Sequence, residues 1–255
     1  MNPLRAIVPV LFSTVVLAAP LAASAQGFSD AQREEIGKIV REYLLKNPEL
    51  MEEISSELSK RQAAAESAKH AAAVKQHAEL IFNSPRGVLI GNPKGDVNFV
   101  EFFDYNCGYC KRAMIDMLDL MKADPNLRVT LKEFPVLGPG SVEAAQVAIA
   151  VRMQDPTGKK YLDFHQKLLG GRGQADKARA MAAAKEAGVD MARLEKDMAS
   201  PEIRATLEEN LKIAEDMGLN GTPSYVIGTN VVIGAIGHDG LKEKIALARC
   251  GKATC

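Results

Sequence analysis

Two cysteines separated by two residues, Cys107-Gly108-Tyr109-Cys110, are where this chain can do chemistry. The C-x-x-C spacing brings two sulfurs within bonding distance when the first stands at a helix start and the second one turn later. Only the first then faces solvent. A helix N-terminus supplies a positive field and free N–H groups, which stabilise a thiolate at Cys107. A lowered pKa makes that sulfur both a competent nucleophile and a good leaving group. Cys110, shielded in the first turn, is placed to resolve a mixed disulfide. Gly108 is small enough to let a partner backbone approach. Tyr109 is neutral, so further activation must come from the helix field and hydrogen bonds.

Half of a zinc site is the competing use of such a pair. Structural zinc takes a second C-x-x-C or a histidine pair at knuckle spacing, and no histidine lies near this one in sequence. A purely structural disulfide is the third reading, against which stands the strand-then-helix setting. The remaining cysteines, Cys250 and Cys255, close a loop of a few residues. In an oxidising compartment a structural disulfide is the default there, with a modest entropic benefit, and a second redox or metal-binding pair is the alternative. Glu101 shares a strand face with Phe99 and Phe103, which predicts a part-buried carboxyl with a raised pKa, against a solvated charge at a strand edge. Pro223, taken alone, reads as an ordinary turn residue, since most X–Pro bonds are trans. His70 and His77, one heptad apart, read as solvated surface residues rather than ligands.

The elements that must hold the cysteine pair follow from periodicity. Val97-Asn98-Phe99-Val100-Glu101-Phe102-Phe103 is a strand apolar enough to be buried on both faces. A helix of about 15 residues follows Cys107, with Met114, Leu118 and Met121 inward, and then a strand over 127–134, which makes a parallel crossover unit. Residues 87–91 form a short strand ahead of it. Helical periodicity then fills 141–153, 159–169, 175–187 and 191–217. Gly221-Thr222-Pro223 leads into a strand, a hairpin turn at Thr229-Asn230, a second strand over 231–235 and a last helix over 238–249.

Upstream, residues 28–82 read as helix, capped at Ser29 or Asp30 and interrupted at Asn47-Pro48. Ile36, Ile39, Val40, Tyr43 and Leu44 fall on one face, and Leu50, Ile54 and Leu58 continue an apolar line. Such an arm cannot bury its stripe against itself, so it packs on its own body or pairs with other copies. The first 25 residues carry one charge, Arg5, an apolar stretch, and an Ala23-Ser24-Ala25 exit. That pattern predicts a secretory leader cleaved before Gln26. Lys+Arg and Asp+Glu are both 32 and Trp is absent, so neither a basic surface nor aromatic stacking favours nucleic acid as a partner.

The stretch Val100-Glu101-Phe102-Phe103-Asp104-Tyr105-Asn106-Cys107-Gly108-Tyr109-Cys110 resembles the active-site segment of the DsbA family of bacterial thioredoxin-fold proteins, and Gly221-Thr222-Pro223-Ser224 resembles its proline loop. The order of elements over 86–249 is similar throughout. The arm resembles the stalk of the ScsC (suppressor of copper sensitivity) branch. The resemblance implies an α/β thioredoxin fold in residues 85–255 with a helical insertion at about 138–218, preceded by a helical stalk over 26–84 that forms a homo-oligomer. It implies that Pro223 is cis and lies beside Cys107, that Thr222, Pro223, Gly108 and Tyr109 form the substrate loop, and that Glu101 is a buried acid serving Cys110. It further implies no cofactor, a periplasmic location, exported cysteine-containing clients and a membrane redox partner. A disulfide isomerase or reductase is the expected activity. A monomeric dithiol oxidase and a Cu(I)-binding copper-stress protein are the alternatives.

Overall fold

The structure is a computed structural model and describes residues 27–255. The expected leader and its cleavage before Gln26 lie outside the described residues. The chain forms two compact units, one ending at Leu58 and one spanning Ser59–Cys255.

In the first unit, α1 (Asp30–Lys46) opens with a reciprocal cap: Ser29 Oγ accepts from the Gln32 N–H and the Gln32 side chain accepts from the Ser29 N–H. It stops where Asn47 turns its backbone and side-chain amides to the Tyr43 carbonyl, just before Pro48, which cannot extend the hydrogen-bond ladder. α2 (Glu49–Gln76) starts at once. No residue of α1 is buried, and Ile39, Tyr43, Leu45, Met51, Ile54 and Leu58 are each more than half exposed.

The second unit takes in the end of α2 and α3 (Ala78–Phe82), which precede residue 85, the expected first residue of the thioredoxin domain. Val74 and Ile81 are the reason, because they are buried with Val100, Phe102, Phe134 and Ile213. Then come β1 (Val88–Leu89), β2 (Val97–Phe103), α4 (Gly108–Ala123) and β3 (Leu127–Glu133). β2 and β3 are parallel, with Phe103 opposite Glu133, and β1 runs antiparallel along the outside of β3. Five helices follow: α5 (Pro139–Arg152), α6 (Lys159–Gly170), α7 (Lys177–Glu186), α8 (Met191–Asp197) and α9 (Pro201–Asp216). The single helix expected over 191–217 is thus two. Ser200 caps the Glu202 N–H and Pro201 occupies the first turn of α9, a start signal inside an unbroken apolar pattern.

β4 (Ser224–Ile227) pairs antiparallel with β2, and β5 (Asn230–Ile233) with β4, giving the order β1-β3-β2-β4-β5. The turn between them needs the positive φ of Gly228, +58°. α10 (Gly237–Cys250) packs back on α4. β2 is buried on both faces: Phe99 and Phe103 join Met117, Tyr161 and Phe164, while Val100 and Phe102 join the α3 and α9 side.

On the latter side, Lys132 is fully buried. Its Nζ lies 3.6 Å from Glu209 Oε1 and donates to Asn210 Oδ1 at 3.4 Å. Burial lowers its pKa, and the Glu209 charge works against that. Glu209 also holds Arg86 at 2.8 Å and accepts from Ser84 Oγ. Glu209→Ala should therefore cost about 3–5 kcal/mol in urea unfolding, because it strands a buried charge. Lys132→Met should cost much less, because Glu209 keeps Arg86 and Ser84. Equal losses would contradict this account.

Candidate active site

Chain direction places the cysteines. β2 ends at the edge where β4 begins, and the turn Asp104-Tyr105-Asn106 delivers Cys107 as the N-cap of α4. Asp104 makes that turn. Its buried carboxylate accepts from the Asn106 N–H at 2.7 Å and from the N–H groups of Val136 and Leu137 at 2.8 and 2.9 Å. The Cys107 N–H donates to the Asp104 carbonyl at 3.1 Å. Both cysteines are free thiols, Cys107 at 7% exposure and Cys110 at 0%.

The two sulfurs differ sharply in acidity. The Cys107 thiol is lowered to about 5. The largest cause is the hydrogen bond from the Cys110 thiol. Burial opposes it, and the Thr222 side chain and the Cys110 and Tyr109 N–H groups at the helix start add to it. Cys110 is pushed far up, first by burial, then by its bond to Cys107 and by the Glu101 charge. Glu101, 2% exposed, sits between Leu131 and Tyr225 in the sheet. Burial above all, then the charges of Cys107 and Asp116, raise its carboxyl to about 8.

The Thr222–Pro223 peptide is cis, and the Cys107 sulfur lies 3.2 Å from the Thr222 carbonyl oxygen. Ser224 Oγ closes the loop onto the Gly221 carbonyl at 2.7 Å. Gly108 has open space where a side chain would stand. Tyr109 is 59% exposed, with the Arg112 guanidinium 5.0 Å from its ring centre. Cys107, Gly108, Thr222 and Pro223 thus meet at one place. A disulfide joins Cys250, the last residue of α10, to Cys255. His77 is tied to Asp216 at 3.1 Å, while His70 lines a separate cleft beside β5. Among the described residues, no group of three or more His, Cys, Asp or Glu side chains converges as a metal site.

Two features escaped the sequence reading. Asn106 clamps the helical insertion to the cysteine loop. Its Nδ2 donates to Ser141 Oγ at 2.9 Å and to the Ala175 carbonyl at 2.8 Å, and its Oδ1 accepts from the Ala175 N–H at 2.7 Å. Together with Lys111, which donates to the Gly171 carbonyl at 2.8 Å, it fixes the loop after α6 as one wall of a groove of about 460 Å³ beside Cys107. The other feature is a buried polar chain under Tyr105. Tyr161 donates to Glu133 at 2.6 Å, and the Tyr105 hydroxyl lies 3.3 Å from both Tyr161 Oη and His165 Nδ1. Burial lowers His165 to about 3, so the ring is neutral. The only sequence signal for Asn106 was its place directly before Cys107.

Two pH dependences follow. Cys107 lies below its ordinary thiol value of 9.0, so its contribution to the stability of the reduced chain is present above that value and is lost as pH falls through about 5. Alkylation by iodoacetamide should rise with a midpoint near 5 and be level by neutral pH; a midpoint in the ordinary thiol range would refute the thiolate assignment. Glu101 has the opposite sign. Its contribution is full below the ordinary 4.5 and is lost as pH rises through about 8, because the unfolded chain releases this proton first. Glu101→Gln should therefore become progressively more stable than the parent across that window, by urea midpoint. A constant difference would mean the carboxyl is ionised when folded.

The residues of this site fall within a known family. Residues 99–246 match the model of the DSBA-like thioredoxin domain, and residues 32–65 match that of the copper resistance protein ScsC N-terminal domain. Among solved structures, a thioredoxin-like oxidoreductase from Silicibacter pomeroyi is 42% identical, covering 67% of this chain and 96% of its own, with a TM-score of 0.63. ScsC of Proteus mirabilis, in a transitional conformation, is 28% identical over 88% of this chain and 98% of its own, at 0.64. BcfH of Salmonella enterica Typhimurium is 26% identical over 86% and 96%, at 0.72. A curated relative, the Na(+)/H(+) antiporter NhaA 1 of Salinispora arenicola, is 23% identical over 163 residues. That match covers 63% of this chain but only 24% of the antiporter, so the chain spans about a quarter of that protein's length. With both cysteines inside a family model that covers more than half its length, the chain belongs to the DSBA-like thioredoxin domain family of thiol–disulfide oxidoreductases, with a ScsC-type N-terminal domain ahead of it.

Proposed function

We propose that this chain is a periplasmic disulfide isomerase that attacks wrong disulfides in exported proteins through Cys107 and resolves them through Cys110. The observation that carries the chemistry is the split between two thiols one helical turn apart, one held near 5 and one held far up. The Cys107 thiolate attacks a client sulfur, the client S–S bond breaks, and the departing client thiolate takes a proton. Cys107 loses its charge in the mixed disulfide, and that charge is one of the forces keeping the proton on Glu101. The carboxyl then ionises more readily at the step where Cys110 must give up its proton. In isomerisation the client's own freed thiol displaces Cys107 instead, and no net oxidation occurs. A membrane redox partner returns any oxidised centre to the dithiol.

The arm supports the isomerase reading. Its exposed apolar residues, in a segment that matches the ScsC N-terminal domain, suit pairing with other copies. An oligomer holds one misfolded client among several thiols. The low Cys107 pKa favours the alternative, a dithiol oxidase, because stabilising the reduced form makes the disulfide more oxidising. Export rests on the leader pattern of residues 1–25.

Reactivation of a scrambled multi-disulfide protein separates the two. The whole chain should exceed a version lacking residues 27–58 by about tenfold or more if linked sites act on one client. Both should oxidise a reduced peptide equally. Oxidation without reactivation by either form would make the chain an oxidase. Cys110→Ser should accumulate mixed disulfides with the client, and Cys107→Ser should form none.

A further inference from the structure

The Cys250–Cys255 cystine has features of a reactive bond. α10 is already terminated without it: Gly251 adopts φ +74° and its N–H donates to the Leu247 carbonyl at 3.0 Å. The Cys250–Cys255 bond spans five positions and fastens no second element to α10. A loop that short gives little entropic return. Both cysteines are exposed, and exposed disulfides are the ones most open to thiol exchange.

The bond also has a binding surface beside it. Cys255 lines a cleft of about 430 Å³ between the end of α4 and α10, whose walls include the buried Leu120 and Ile245. At its mouth stands Lys242, exposed and without an ion-pair partner among the described residues. The acid in the cleft, Asp124, is held by Arg249 at 2.8 Å, and Arg249 also holds Asp96 at 2.7 Å. The Cys255 sulfur lies 3.3 Å from the Ala246 carbonyl oxygen. The cleft lies at the opposite end of α4 from Cys107, and a helix of 16 residues is about 24 Å long. Cys107 of the same chain therefore cannot serve this bond.

We propose that Cys250–Cys255 is a second redox centre, which accepts electrons from a small thiol peptide bearing carboxylates, seated in this cleft against Lys242. The peptide's thiolate attacks Cys255 Sγ, the Cys250–Cys255 bond breaks, and Cys250 leaves as a thiolate that takes a proton from water. A second peptide thiolate attacks the peptide sulfur of the mixed disulfide and releases Cys255, which is protonated in turn. Two thiols have become one disulfide, and two electrons have passed to the cystine. The chain thereby registers the surrounding thiol level at a point separate from its exchange site, whichever direction that site runs.

The test uses the whole chain with Cys107→Ser and Cys110→Ser, which leaves one cystine. It is equilibrated in glutathione buffers of graded reduced-to-oxidised ratio, quenched by alkylation, and its thiols are counted by mass. The pair should become reduced within the range of ratios that reduces the Cys107–Cys110 disulfide of the parent chain. Lys242→Glu should slow reduction by glutathione several-fold relative to reduction by uncharged 2-mercaptoethanol. A pair that stays oxidised throughout overturns the proposal and makes the bond a structural clip. Reduction with an unchanged glutathione-to-mercaptoethanol rate ratio overturns the assigned ligand site.

Discussion

The carboxylate of Asp104 is 1% exposed and accepts from three backbone N–H groups, one in the cysteine loop and two in the segment after β3. A buried carboxylate so bonded is stable only while all its donors stay in place. It therefore fixes the end of β2, the path of the chain leaving β3, and the point at which α4 can begin. Cys107 becomes the N-cap because that turn leaves no other residue there. The helix field, the N–H groups of Tyr109 and Cys110, and the approach of the Thr222 carbonyl all depend on this placement.

Glu101, three residues before Asp104 and inside β2, meets different neighbours. Asp104 lies at the strand end, where backbone donors are free to bond it. Glu101 lies in mid-strand, where the backbone N–H groups belong to the sheet ladder, so burial dominates and its proton is retained to about 8. The two cysteines stand one helical turn apart in different surroundings. Cys107 accepts from the Cys110 thiol and from free N–H groups, whereas Cys110 meets apolar packing, so identical side chains have opposite acidities. The uneven pair follows from where a helix begins, since its first turn has unpaired donors and its inner face has none.

The helical insertion shapes the groove beside the nucleophile. Residues 170–174 include Gly170, Gly171 and Gly173, and such a sequence does not hold one conformation by itself. Asn106 and Lys111, both beside the cysteines, supply the fixed points. Groove shape and thiol position are thus set by adjacent residues of one loop. The exposed stripe of α1 and α2 is a different kind of feature, apolar surface that the fold of this unit leaves uncovered.

Local rules made much of this legible in the sequence. A two-residue spacing between cysteines after an apolar strand announces a helix-start thiol pair, and unbroken apolar runs announce strands covered on both faces. The caps at Ser29 and the break at Asn47-Pro48 are local chemistry as well. Resemblance, not spacing, supplied the cis bond at Pro223 and its nearness to Cys107, because 115 residues separate Cys107 from Thr222. Other features had no local signal. The Asn106–Ala175 clamp, the Glu133–Tyr161–Tyr105–His165 chain and the Lys132–Glu209 and Lys132–Asn210 pairs join residues 28 to 78 positions apart. That Val74 and Ile81 close the sheet while Ile39 and Ile54 stay exposed is likewise invisible locally, since all four lie in helical, alanine- or charge-rich segments. Period and spacing fix which face of an element is apolar. What that face meets, and which buried polar groups find partners there, is decided only when distant segments pack.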